Sequence, residues 1–227
     1  MSIKENLDAV RENIRLAAQR VGRNSEEIRL IAVSKTYPAE DILNAYNCGV
    51  REIGENRVQE MCEKKPLLPE DLKVHLIGHL QTNKVKQAVK NACLIHSVDS
   101  VRLAEEISKA SVKEGLVTPV LLQVNVAEDE AKFGLDADAL EGVLKEVSTL
   151  EGIVVKGLMT VPAIETDGNT TRGYFRKLRE LFEKYKTEYN LTELSMGMSG
   201  DYEIAVEEGA TMVRVGSKIF GARNYNV

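Results

Sequence analysis

At the start of the chain Ile3, Leu7, Val10, Ile14, Ala17 and Val21 recur at helical spacing and predict an amphipathic helix. Ser2 and Glu5 stand where a capping box would place them, and Gly22 is a plausible stop. Beyond it, apolar runs of strand length fall at Ile28–Ser34, Glu52–Gly54, Val74–Gly78, Leu94–Val98, Pro119–Val126, Val154–Val161, Leu194–Gly197 and Met212–Phe220. Amphipathic stretches near 39–48, 55–64, 81–91, 99–114, 136–147, 171–187 and 201–208 separate them and predict helices. Such alternation predicts parallel strands joined by crossover helices, and about eight strands in one domain fit a (β/α)8 TIM barrel. The last strand leaves no room for a closing helix after it, so the N-terminal helix is expected to fill that vacancy beside the first and last strands. An open doubly wound sheet is the alternative; it calls for a Gly-rich first turn or another switch-point site. The first turn here, Ser34-Lys35-Thr36-Tyr37-Pro38, contains no glycine. No linker or repeat marks a boundary, so residues 1–227 are expected to form a single domain, with 162–170 as a polar loop.

Composition adds exclusions. The chain has 227 residues, 43% hydrophobic and 29% charged, which is ample for a core. A net charge of −5 without a basic block argues against a nucleic-acid partner. The longest apolar runs have strand length, too short to span a membrane, and the charged N-terminal segment lacks an apolar signal core. Cys48, Cys62 and Cys93 are scattered and odd in number, which fits reduced thiols and a cytoplasmic location.

Barrel enzymes keep their sites at the carboxyl ends of the strands. The first strand here ends in Lys35. Burial lowers a lysine's pKa from about 10.4 and yields the neutral amine that attacks carbonyls; a lysine at a strand end also commonly just points into water. The loops after strands seven and eight are where barrels often hold phosphate. There, Ser199 stands where an N-cap would stand, Gly216 permits close backbone approach and Ser217 adds a hydroxyl. A plain N-cap and a tight turn read equally well. Arg214, between Val213 and Val215, needs a partner if buried: Glu203, Glu207 or a ligand acceptor. His75 and His79 lack a third ligand at suitable spacing, so no metal is expected. Gln123 and Asn125 share one strand face and are candidates to line the barrel or its mouth, whereas Lys132-Phe133-Gly134 has no evident role.

Taken together, Ala32–Pro38, Ile53–Glu60, His75–Lys84, Gly157–Thr160, Leu194–Ser199 and Val213–Gly221 resemble, in order, the motifs of the pyridoxal phosphate homeostasis family, the YggS type. Arg57 stands where many members carry tyrosine, and Ser217 where many carry threonine. The resemblance implies a barrel similar to the N-terminal domain of alanine racemase, binding pyridoxal 5′-phosphate (PLP). It implies that Lys35 holds the aldehyde as a covalent aldimine and that Asn56 lies near the phenolic oxygen. By the same resemblance Ser199, Gly216 and Ser217 hold the phosphate, Arg214 meets the pyridine nitrogen, and Ile77 and Met159 line the ring. A monomer, with PLP-dependent apoenzymes as further partners, is also implied.

Three functions then compete. The first is a PLP carrier or buffer without turnover. Arg214 would keep the pyridine nitrogen unprotonated and the ring a weak electron sink, and the chain ends at Val227 without the racemase's C-terminal domain. The second is an amino-acid racemase of weak or narrow activity, with Tyr202 or His79 as the second base that two-sided proton transfer requires. The third is a PLP-free Schiff-base lyase. The carrier is the expected function.

Overall fold

In the computed structural model, which describes residues 2–129, 133–162 and 167–221, eight parallel strands close into a barrel in sequence order. They are β1 (Arg29–Val33), β2 (Glu52–Glu55), β3 (Lys73–Leu76), β4 (Leu94–Val98), β5 (Thr118–Gln123), β6 (Ile153–Met159), β7 (Glu193–Ser195) and β8 (Met212–Val215). Around them run α1 (Ile3–Arg20), α2 (Ala39–Asn47), α3 (Val58–Lys64), α4 (Val85–Asn91), α5 (Val101–Glu114), α6 (Leu140–Val147), α7 (Gly168–Tyr189), α8 (Tyr202–Glu207) and the single turn α9 (Ser217–Phe220). β1 pairs with β8 from Arg29 opposite Met212 to Ala32 opposite Val215, and this seam closes the barrel.

Side-chain alternation divides the apolar residues in two. Ile31, Leu94, Leu121, Met159 and Met212 fill the barrel interior. A larger shell, including Leu7, Ile53, Ile95, Leu122, Phe175 and Val213, lies between strands and helices. Strands covered on both faces carry apolar residues at consecutive positions, as parallel barrels require. α1 packs against α2, α8 and α9, so it occupies the expected vacancy beside the seam. Its capping box forms: Glu5 N–H donates to Ser2 Oγ at 3.2 Å, and Ser2 N–H to Glu5 Oε2 at 2.8 Å. Gly22, at φ +69°, takes the left-handed conformation that ends the helix.

Two expectations are corrected. The eighth strand was expected to run to Phe220 but stops at Val215, and Ser217–Phe220 coil into α9. Ile219 and Phe220 made the run look extended, but both N–H groups donate back to the Gly216 carbonyl. The polar loop expected over 162–170 ends earlier, because α7 begins at Gly168. Asp167 caps that end by accepting from the N–H groups of Asn169 and Thr170, each at 3.1 Å. Residues 163–166 lie outside the described residues. Among the described residues no helix is long and apolar enough to cross a membrane.

Candidate functional site

The carboxyl ends of the strands surround a cavity of about 480 Å³. Its walls bring together Lys35, Asn56, Ile77, Ser199, Arg214, Gly216 and Ser217, residues drawn from both ends of the chain. Val33, Val161, Thr171, Asp201 and Ile204 also line it.

Lys35 leaves the end of β1 half-buried rather than sealed in the core. A network outside the barrel clamps the backbone on both sides of it. Lys64 on α3 donates to the Ser34 carbonyl at 2.8 Å, to Glu55 Oε1 at 2.9 Å and to Glu60 Oε1 at 2.6 Å. Ser34 Oγ donates to the same Glu55 oxygen at 2.6 Å. Thr36 N–H donates to Glu60 Oε1 at 2.6 Å, holding Thr36 at φ +70°. A β-branched residue rarely adopts that conformation, which costs on the order of 1–3 kcal/mol. Burial pushes the Glu55 carboxyl above its ordinary range, against the pull of the Lys64 charge and the Ser34 hydroxyl.

The opposite wall is made by the loops after β7 and β8. Ser199 is not an N-cap, because α8 starts later, at Tyr202. Its hydroxyl instead accepts from the Gly216 N–H at 3.1 Å and ties the two loops together. Asp201 folds the first loop by accepting from the Met198 N–H at 2.5 Å; burial raises its carboxyl pKa, against the pull of that N–H and of the Arg214 charge. Gly216 has a packing reason: a Cβ there would lie 3.1 Å from the Val33 carbonyl oxygen across the seam. Ser217 opens α9 and faces the cavity from an exposed position. In α9 the Ile219 and Phe220 N–H groups already donate to the Gly216 carbonyl, so the donors at its start are those of Ser217 and Lys218. Two hydroxyls beside such donors form a donor set that suits a phosphate.

Arg214 projects from β8 into the barrel and is 3% exposed. Neither carboxylate expected from the sequence pairs with it: Glu203 meets Arg20, and Glu207 meets Arg20 and Arg172. Arg214 Nη1 donates to Ser195 Oγ at 2.5 Å, and Nη2 to the Thr160 carbonyl at 2.8 Å. Burial lowers its pKa to about 10, partly offset by the Asp201 charge, so it remains a cation near neutrality.

Other expected site residues go elsewhere. Met159 is fully buried in the interior cluster beneath the cavity; Val161, one pleat higher, reaches the lining instead. Gln123 donates to the Phe133 carbonyl and Asn125 to the Asp129 carbonyl, so both fasten the loop after β5. His75 and His79 diverge: His75 contacts His96 inside the barrel, whereas His79 meets Asp99 at 3.2 Å and stacks on Phe133. Phe133 is exposed, and Lys132 lies outside the described residues. Tyr202 OH accepts from Asn13 Nδ2 on α1, outside the cavity. Arg57 is exposed at the start of α3 and outside the lining. Asp201, Ile204 and Thr171 were missed as lining residues; the signal for the first two was their closeness to Ser199, whereas Thr171 enters from the start of α7 and carried none.

A family model described as the N-terminal domain of alanine racemase matches residues 6–224. A pyridoxal phosphate homeostasis protein of Aquifex aeolicus is 46% identical over 99% of this chain and 100% of its own length. That of Escherichia coli is 38% identical over 99% of this chain and 98% of its own. PipY of Synechococcus elongatus, solved with PLP bound, superposes with a TM-score of 0.86 at 38% identity, covering 97% of this chain and 100% of PipY. An alanine racemase of Clostridium difficile shares the fold with a TM-score of 0.76 at 18% identity; this chain spans 60% of its length. With this cavity at the mouth of a barrel of that fold, the chain belongs to the pyridoxal phosphate homeostasis protein family.

Proposed function

We propose that the cavity binds PLP and holds it through Lys35, as a carrier that limits free aldehyde rather than as an enzyme. The observation that carries this reading is the convergence of an amine, a phosphate-type donor set and a buried arginine on one cavity. The Lys35 amine and the aldehyde carbon join as C=N with loss of one water. Ser199, Gly216 and Ser217 bind the phosphate, and Asn56 and Ile77 flank the ring. The bound group supplies an aldehyde and a conjugated pyridine; the chain's residues bind and orient it. Arg214 is a permanent donor placed toward the ring nitrogen, and it disfavours protonation there. The alternative, a racemase, needs a second proton carrier on the far face. Neither Tyr202 nor His79 lines the cavity, which favours the carrier. PLP-dependent apoenzymes are the proposed recipients.

The test is spectroscopic. Purified protein loaded with PLP should be yellow, and borohydride should bleach it and leave the phosphopyridoxyl group on Lys35 in a peptide map. Lys35→Ala should lose the band while retaining some PLP through its phosphate. A label on another lysine would refute the attachment, and turnover of an L-amino acid abolished by Lys35→Ala would refute the carrier.

A further inference from the structure

Polar side chains are rare inside small parallel barrels, because every buried polar atom needs a partner. Here a connected row of them runs from the amino end of the barrel to the cavity. Glu52 on β2, His75 on β3, His96 on β4, Ser195 on β7 and Arg214 on β8 are each no more than 9% exposed. Glu52 Oε2 lies 3.1 Å from His75 Nε2. The contact is oblique, but among the described residues neither atom has a better-aligned partner. His75 Nδ1 is 3.0 Å from His96 Nε2, and His96 Nδ1 is 3.0 Å from Ser195 Oγ. Arg214 Nη1 closes the row at 2.5 Å from Ser195 Oγ.

The two ends dictate the protons between them. Arg214 has only donors. Burial would raise the Glu52 carboxyl, but His75 and the nearby Arg29 and Lys73 outweigh it and bring it down to about 2, so Glu52 only accepts. His75 Nε2 therefore carries the proton that faces Glu52. In a neutral ring His75 Nδ1 then accepts from His96 Nε2–H, His96 Nδ1 accepts from the Ser195 hydroxyl, and Ser195 Oγ accepts from Arg214. Complete burial, with the Arg214 and Arg29 charges nearby, holds His96 neutral. Every link points the same way, and each polarises the next.

We propose that Glu52, His75, His96 and Ser195 are positioning residues: a one-directional relay that aims the Arg214 guanidinium into the cavity floor from the opposite end of the barrel. With Nη1 given to Ser195 and Nη2 to the Thr160 carbonyl, the guanidinium plane is held at two points. That this matters for PLP rests on the function proposed above; the polarity of the relay does not.

The experiment uses histidine labelled with ¹⁵N, since the chain has only three histidines. Two-bond ¹H–¹⁵N correlation spectra of the protein without added PLP, near neutral pH, should show His75 and His96 both protonated on Nε2 alone. A proton on His96 Nδ1, or on both nitrogens of His75, overturns the relay. Ser195→Ala should weaken PLP binding roughly tenfold through the lost charge-assisted bond, and Ser195→Thr should restore it. Wild-type affinity in Ser195→Ala overturns the positioning role. If the unmutated protein takes up no PLP, the cofactor reading fails, and the spectra still judge the relay.

Discussion

Lys64→Met is the sharpest probe of the clamp behind Lys35. The methionine keeps the length of the stem and removes three donor contacts, to Ser34, Glu55 and Glu60. Glu55 is fully buried, and its Oε2 already lacks a partner. Removing one partner of a buried pair typically costs about 3–5 kcal/mol, far above the ~0–1 kcal/mol of an exposed one. The carboxyl can escape part of this by taking up a proton, since its pKa already stands above the ordinary 4.5. In the variant that pKa rises further above the unfolded value. The resulting contribution is present at acid pH and lost as pH rises through the folded pKa, so the penalty grows with pH. Urea unfolding at about pH 5 and about pH 8 should show a loss near 3 kcal/mol or more at the higher pH and a smaller one at the lower. Lys64→Met combined with Glu55→Gln should recover most of it, because no buried charge is left unpaired. A loss below about 1 kcal/mol at both pH values, or a double variant no better than the single, would refute the argument.

Met159→Ala should open a void among Ile31, Leu121 and Met212 and lower unfolding stability by about 2–5 kcal/mol in urea titrations. Gly216→Val should push the end of β8 away from the Val33 carbonyl and weaken PLP uptake in equilibrium dialysis by about tenfold, with the melting temperature changed much less. Glu52 titrates below its ordinary 4.5, at about 2, and His96 well below 6.5. Both values are depressed by folding, so both contributions are full above the unfolded pKa values and lost as pH falls. Melting temperatures should therefore decline from about pH 6.5 downward, and His96→Leu should flatten the first part of that decline.

The barrel was legible because strand and helix periods alternate cleanly, and the surplus of α1 at one end matches the shortage after β8. Alternation assigns a side chain to a face but says nothing of its height along the barrel axis. Met159 was expected in the lining from the resemblance alone, and alternation could not show that the cavity floor lies above it, at Val161. Ile219 and Phe220 read as strand because an apolar pair carries no period of its own, and the Gly216 carbonyl turns them into a helix. Lys35 and the two glycine–serine loops were readable because the carboxyl ends of strands are known addresses. The partners of Arg214 were not, because Ser195 and the Thr160 carbonyl reach it from other strands. The interior row was invisible for the same reason, although Glu52, His75, His96 and Ser195 are polar residues embedded in otherwise apolar strands, which was the available clue.

The seam between β1 and β8 gives the cavity a dependence on the whole chain. Lys35 follows the first strand, and Arg214, Gly216 and Ser217 belong to or follow the last. A growing polypeptide lacks one wall until β8 and the turn after it have emerged, so uptake of a ligand becomes a report that the barrel has closed. The same geometry makes a ligand held between Lys35 and Ser217 a clasp across the join. Opening the barrel there would require giving up the ligand first. Occupancy should therefore slow unfolding and proteolysis that begin at the seam, and the protection should increase with ligand concentration.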